Sequence, residues 1–452
     1  MPSVRARRRS VGPPGTTLDL PAATVLAALV LSLLSSSREA HPAPSDQQPV
    51  PAAGLPAEPG SELRVWLLTA DPGEAVWERF GHNAIRVLDT RTERDVAYNW
   101  GIFDFNQVDF IPRFLKGQML YQMAPFSTGA MVSSYARANR KVVLQELALT
   151  PAQRLALQEY AEWNALPQNR DYFYDYFRDN CSTRVRDLLD RVLDGALSER
   201  FSNEATETSY RYHIRRLTRS SPLLFTGMDV LLGAPGDRPI SVWEEMFLPM
   251  TLRDAARELT VTDESGARRP LVMSEEVVSP SGRTVETAAP PSWLPRYLLL
   301  GLILGGALVW AGHLASGGSR LSAYVVGTIG TAWSLLAGVV GTILVLALFT
   351  DHSFMAWNQN LLLVNPLSLA LVVLVPLSLR QRKSRRVASI IALAVVGAAT
   401  LGLLWHLGPT AQQQNWIFLA LTLPIHLGLW YALFRLRSAA LAETSTPSRS
   451  RG

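Results

Sequence analysis

The stretch Tyr172-Phe173-Tyr174-Asp175-Tyr176-Phe177-Arg178-Asp179-Asn180-Cys181-Ser182-Thr183-Arg184-Val185-Arg186-Asp187-Leu188-Leu189-Asp190 decides how the chain is read. Val185, Leu188, Leu189, Val192 and Leu193 recur at helical spacing, and Gly195 supplies a C-terminal stop. Asp179 or Asn180 suits the N-cap, which puts Cys181 in the first turn. There the helix dipole and free backbone amides favour a thiolate, so the position predicts a low-pKa nucleophile. The same amides, supported by Asn180 and Ser182, are expected to stabilise an oxyanion on an attacked carbonyl. The plainer alternative is a small buried hydrophobe at a helix start.

Cys181 is the only cysteine among 452 residues, so no intramolecular disulfide can form and the fold rests on its core. In an oxidising compartment a lone thiol is either buried and inert or kept for its reactivity, so the compartment matters. Charged residues make up 18% of the chain, against about 25% in soluble proteins, and 48% is apolar. Between Tyr297 and Leu379 only Arg320 and Asp351 are charged, and between Val387 and Phe434 nothing is. This pattern excludes a wholly soluble protein. The net charge of +5 is concentrated in arginines beside apolar runs, which read as topology signals and not as a nucleic-acid surface.

Residues 1–37 read as a signal peptide or signal anchor: Arg5, Arg7, Arg8 and Arg9, an apolar stretch over 21–34, then Ser35, Ser36 and Ser37. Six prolines between His41 and Gly60 make 38–61 an extended linker. Residues 62–290 have ordinary globular composition and form the expected extracytoplasmic catalytic domain. Five apolar segments, 297–314, 321–349, 361–379, 387–407 and 416–434, are each long enough to cross a hydrocarbon layer of about 30 Å, giving a transmembrane bundle over 291–437. Arg380, Arg382, Lys383, Arg385 and Arg386, and Arg435 and Arg437 near the carboxyl end, are cytoplasmic by the positive-inside rule. Residues 38–295 then lie outside and the 438–452 tail inside.

In the exported domain, 63–69 reads as a buried strand, while 82–88 and 95–99 alternate around a polar turn. A hairpin folded about residues 90 and 91 places Asn99 opposite His82, where an amide would hold one imidazole nitrogen. Ala84 and Ala97 share that face and leave room for another element. A half-exposed histidine at a strand end is the plainer reading of His82.

The run Phe80-Gly81-His82-Asn83-Ala84, then Tyr98-Asn99-Trp100-Gly101-Ile102-Phe103-Asp104-Phe105, then Asp179-Asn180-Cys181-Ser182-Thr183 resembles the periplasmic domain of the Lnb-type lipoprotein N-acyl transferases over roughly residues 62–254. The C-terminal spans, with Asn358-Gln359-Asn360-Leu361-Leu362-Leu363-Val364-Asn365-Pro366-Leu367, resemble that family's membrane module. The resemblance implies an α+β papain-like fold, circularly permuted as in lecithin retinol acyltransferase, followed by an all-α transmembrane bundle in the bacterial inner membrane. It also implies a transacylation, with the sn-2 acyl chain of a diacylglyceryl-modified lipoprotein moving to the α-amine of its N-terminal cysteine. Cys181 would carry the chain as a thioester, His82 would be its base, and Asn99 the orienter of His82. The partners implied are lipoproteins or phospholipid acyl chains and the membrane, with no nucleic acid. No cofactor is required, and the histidines and carboxylates have no metal-ligand spacing.

Phe105, Phe114 and Tyr121 belong to an aromatic segment expected either to meet acyl chains or the interface or to be plain core. Trp357, Asn358 and Asn360 fall in the second-to-third connection, outside, within reach of the catalytic domain. His406 and His426 lie in or beside spans and are left out of the site. An exported Cys-His amidase or peptidase acting on cell wall, or a non-enzymatic receptor or scaffold, remains open as an alternative.

Overall fold

The computed structural model describes residues 58–104, 106–262, 266–283, 289–408 and 413–445. The expected signal segment, most of the linker, and Phe105 lie outside the described residues.

A seven-stranded sheet organises the first domain. Its strands are β1 (Leu63–Ala70), β2 (His82–Asp89), β3 (Arg94–Ile102), β4 (Leu120–Ser127), β5 (Val142–Leu147), β6 (Asp171–Phe173) and β11 (Val272–Ser279). They run in the order β11-β5-β1-β2-β3-β4-β6, and each neighbouring pair is antiparallel. The apolar run of β1 is buried on both faces, as its central place demands. Short pairs β7 (Ala205–Ser209) with β8 (Pro239–Ser241), and β9 (Thr260–Thr262) with β10 (Arg268–Pro270), stand apart.

Helices cover both faces. α1 (Phe110–Lys116) precedes β4, and α2 (Thr128–Arg137) packs Met131 against Ala84, Ala97 and Leu68. On the other face, α3 (Pro151–Ala165) and α4 (Cys181–Val192) bury Leu157, Val185, Leu188 and Leu189 against Ile85, Val87, Tyr98 and Trp100. α5 (Ala196–Phe201), α6 (Tyr210–Leu217), α7 (Pro222–Leu231), α8 (Val242–Glu245) and α9 (Pro249–Glu258) complete the domain.

The β2–β3 register corrects one expectation. Ala84 pairs with Asn99 and Asp89 with Arg94, so Asn99 is two residues away from the expected place opposite His82. The turn needs four residues because Asp89 Oδ1 accepts from the amides of Arg91 (2.8 Å) and Thr92 (3.1 Å). A two-residue slip preserves the face on which each side chain stands, so His82, Ala84, Ala97 and Asn99 still share one side.

Past Trp293 the chain is helical: α10 (Leu294–Ser316), α11 (Arg320–Ala347), α12 (Ser368–Arg380), α13 (Arg382–Trp405) and α14 (Trp416–Ser445). Four of these are long and apolar enough to cross a membrane, where five spans were expected. The third expected span is divided into a 3-10 turn, Gln359–Leu362, and the 13-residue α12, which at 1.5 Å per residue reaches only about 20 Å. Pro366 disfavours helical geometry at Asn365, and the Asn358 side chain takes the Asn360 amide at 2.9 Å.

The two regions are joined at α7. Its last carbonyls would be orphans at a helix end. Asn358 Nδ2 donates to Val230 O (2.8 Å) and Leu231 O (3.0 Å), and Asn360 Nδ2 to Val230 O (2.9 Å). Gln413 and Asn415 brace those asparagines in turn, at 2.9 Å and 2.8 Å. From the domain side the fully buried Arg211 pairs with Asp229 and Asp237 and donates to Leu232 O, so both ends of the joint are hydrogen-bonded.

Candidate active site

The helix that carries the only thiol starts as the sequence requires. Asn180 is the N-cap of α4, its Oδ1 accepting from Ser182 N and Thr183 N, both at 2.9 Å, while Thr183 Oγ1 accepts from Asn180 N at 2.8 Å. Cys181 follows as the first residue of α4, half-buried. Helix and sheet are tied here because Ser182 Oγ donates to Met246 O (2.6 Å) and lies 2.8 Å from Asn83 Oδ1.

The sulfur is faced by the backbone N–H groups of Asn83, Ser182 and Cys181 itself. Since Asn83 follows His82 directly, the start of β2 and the start of α4 meet at the thiol. Gly101 makes the approach feasible. Its φ of +92° is one that glycine tolerates, and a Cβ there would stand 3.4 Å from Cys181 Cβ.

His82 Nε2 lies 3.1 Å from Asn99 Oδ1. Asn99 Nδ2 donates to Ala97 O at 2.9 Å, which fixes the amide so that its oxygen faces the ring. His82 Nε2 must therefore carry the proton, leaving Nδ1 with a free lone pair. Asn99 is buried, so the pairing is shielded from competing water. Among the described residues, His82 has no hydrogen bond to the thiol.

Burial sets the protonation states. It lowers the His82 pKa to about 4, the Asn99 bond opposing and the Arg140 guanidinium assisting the shift. Burial also raises the Cys181 thiol above its usual range, despite the N–H groups and Arg140 acting the other way. This corrects the low-pKa expectation: desolvation of the anion outweighs the helix-end amides. At neutral pH the pair rests as thiol and neutral imidazole. Alkylation of the full-length protein should accordingly follow a pH transition above the ordinary thiol value of about 8.5; a midpoint below it would contradict these electrostatics.

The remaining expected residues separate. Asn180 and Ser182 have structural work: Asn180 Nδ2 donates to Tyr176 O (2.9 Å) and Phe247 O (3.0 Å), and the Ser182 hydroxyl is committed as above. Asn358 and Asn360 reach the first domain, where they hold the last carbonyls of α7, and Trp357 is 81% exposed. Phe114 lies on α1, where its carbonyl faces His352 Nε2 at 2.9 Å. Tyr121 alone among the expected aromatic contacts is electrostatically coupled to the thiol, stacked on Tyr174 at 4.1 Å and 5.2 Å from Phe103.

Asn83, Arg140, Tyr172 and Tyr174 were not anticipated. The alternation of Tyr172, Tyr174 and Tyr176 was a usable signal, since it sets phenols on one side of the segment leading to the cysteine. Arg140 is far upstream of Cys181 on the loop before β5, where no local pattern marks it.

Two family models match the chain in order, the Lnb N-terminal periplasmic domain over residues 58–219 and the Lnb transmembrane domain over residues 319–437. No curated protein and no solved structure matches it.

Proposed function

The chain belongs to the Lnb family, as a membrane protein with a periplasmic domain, and from that premise we propose that it is a thiol-dependent acyltransferase. It takes the sn-2 acyl chain of a diacylglyceryl-modified lipoprotein onto Cys181 and delivers it to the lipoprotein's own N-terminal amine. The observation that carries this reading is the His82 Nε2–Asn99 Oδ1 contact, which leaves Nδ1 to act as the base beside the strand end that meets the thiol. The permuted papain-like arrangement, with the histidine strand preceding the cysteine helix in sequence, is part of the same proposal.

The chemistry balances as two transfers. Sγ attacks the ester carbonyl as His82 Nδ1 takes the thiol proton, and the glycerol oxygen leaves with that proton. The neutral amine then attacks the thioester, the C–N bond forms as C–S breaks, and the amine's extra proton returns to sulfur through His82. An acceptor amine held on the same lipid anchor competes with water through proximity.

The membrane module supports the reading physically. A diacylglyceryl anchor resists leaving the bilayer by about 0.8 kcal/mol per CH₂, so the thiol must work at the interface. α1 is suited to that border. Ile111 and Leu115 are exposed on it, Arg113 and Lys116 sit in its last turn, and Lys116 O accepts from Asp351 N (2.8 Å) just beyond α11. Phe114, Trp357 and the aromatic group at Tyr121 are the proposed contacts of lipid or acyl chain.

The proposed topology counts the short α12 with the turn before it as the third of five crossings, and sets residues 38–295 outside the inner membrane and the carboxyl tail in the cytoplasm. Reporter fusions at Gly60, Ser384 and Gly452 should read outside, inside and inside; a cytoplasmic Gly60 fusion would contradict it. The activity itself is tested by incubating the purified protein with a diacylglyceryl lipopeptide. The expected product has unchanged mass and fragment ions placing one acyl chain on nitrogen. Free fatty acid without N-acylated product, or cleavage of peptidoglycan stems, would replace the transferase with a hydrolase.

A further inference from the structure

Resting on the acyl-transfer reading, we propose that Tyr172 is a further catalytic residue, its hydroxyl donating a hydrogen bond to the oxyanion formed when Cys181 attacks the acyl carbonyl.

The need for such a donor follows from the cap. Stabilising a tetrahedral oxyanion takes donors aimed at the place where charge develops, and a helix start ordinarily offers its free amides. Here Asn180 Oδ1 already accepts from Ser182 N and Thr183 N, and Asn180 O from Arg184 N at 3.0 Å. Of the first-turn amides, that of Cys181 remains, with the Asn83 N–H of β2 beside it at the sulfur. The capping that builds the helix thus removes donors from the reaction.

Tyr172 supplies the missing group. The residue is 9% exposed, and its buried hydroxyl has no hydrogen-bond partner among the described residues. A buried hydroxyl left unpaired costs stability and calls for an explanation. Its direction gives one. The position that a Cβ on Gly101 would occupy is 4.0 Å from Tyr172 Oη and 3.4 Å from Cys181 Cβ. Glycine leaves this point between hydroxyl and cysteine without a side chain.

The hydroxyl is also held still. Tyr172 pairs with Tyr121 across β4 and β6, and the Arg184 guanidinium lies 4.2 Å over its ring, itself fixed by two N–H groups on Asp179. Fixed donors lose little freedom as charge appears on the substrate. Burial raises the phenol well above its usual pKa, so it remains a donor throughout the working range.

In the step itself, the S–C bond forms and the carbonyl π pair moves to oxygen, which accepts from Tyr172 O–H without taking the proton. The pair returns as the glycerol C–O bond breaks, and the hydroxyl is released unchanged.

Tyr172→Phe in the full-length protein tests this, because phenylalanine keeps the ring and removes only the unpaired group. Expected are an unfolding midpoint no lower than wild type and unchanged alkylation of Cys181. The rate of acyl-enzyme formation from an activated ester should fall about 10²-fold in kcat, with KM within about twofold. Acylation within about twofold of wild type, while Cys181→Ser is inactive, would overturn the proposal. A loss of rate accompanied by a lower midpoint and altered alkylation would also overturn it, since it would mark Tyr172 as structural. If wild type and Cys181→Ser formed product equally, the acyl-transfer reading would fail first, and this donor with it.

Discussion

Cys181→Ser should lose lipopeptide rearrangement by about 10⁴-fold or more, the scale seen when a covalent catalyst loses its nucleophile. The reason is specific to this site. With an imidazole whose pKa is about 4, the resting base is weak, so the nucleophile has to be a good one even before full deprotonation. Sulfur meets that need and a serine hydroxyl does not. The serine side chain is smaller than the thiol, and the Asn180 cap does not involve the Cys181 side chain, so the fold should be retained. A slow oxygen ester on the introduced hydroxyl is the only residual chemistry expected, detectable as added mass after long incubation. Wild-type rates in this variant would end the nucleophile assignment.

His82→Ala should lower acylation by at least about 10²-fold, the usual contribution of a positioned base. Asn99→Ala should cost less, about tenfold, because the base remains and only its tautomer is released. The pH profile separates this account from a generic histidine effect. Below about pH 4 the ring is protonated and cannot accept the thiol proton, so the acid limb of acylation should lie near 4 and not near 6.5. Acylation by a short-chain activated ester isolates this limb from the lipoprotein amine, which titrates near about 8. Stability has the matching sign. The unfolded chain binds the His82 proton from about pH 6.5 downward, and the native state only near 4, so the fold loses stability as pH falls across that window. An acid limb at 6.5 in the wild type would contradict the burial of the ring.

The sequence made the local features readable and the long-range ones opaque. Asn180, Cys181 and the Val185–Leu189 spacing specify a capped helix by contacts within one or two turns, and α4 begins at Cys181 as expected. The His82–Asn99 contact was legible too, but through the wrong register: alternation fixes the face, while the length of the Asp89 turn fixes the partner. The thiol's protonation state was misread because a first-turn position says nothing about desolvation, which depends on packing by Gly101, Asn83 and the tyrosines from distant strands. The break in the third apolar segment was hidden for a related reason. Hydropathy over 361–379 is blind to Asn358 and Asn360, whose side chains serve α7 and not a continuous helix. Arg140 reaches the site only through the tertiary fold, which no local pattern discloses, whereas the Tyr172, Tyr174 and Tyr176 alternation was there to be read.

The most direct test is to give the wild-type protein a lipopeptide with an isotopically labelled sn-2 chain, quench early and weigh the Cys181 peptide. The account predicts a hydroxylamine-labile acyl group on Cys181 that carries the label, appears before product, and then moves quantitatively to the lipopeptide nitrogen. Labelled N-acyl product forming at full rate with Cys181 never acylated would contradict it.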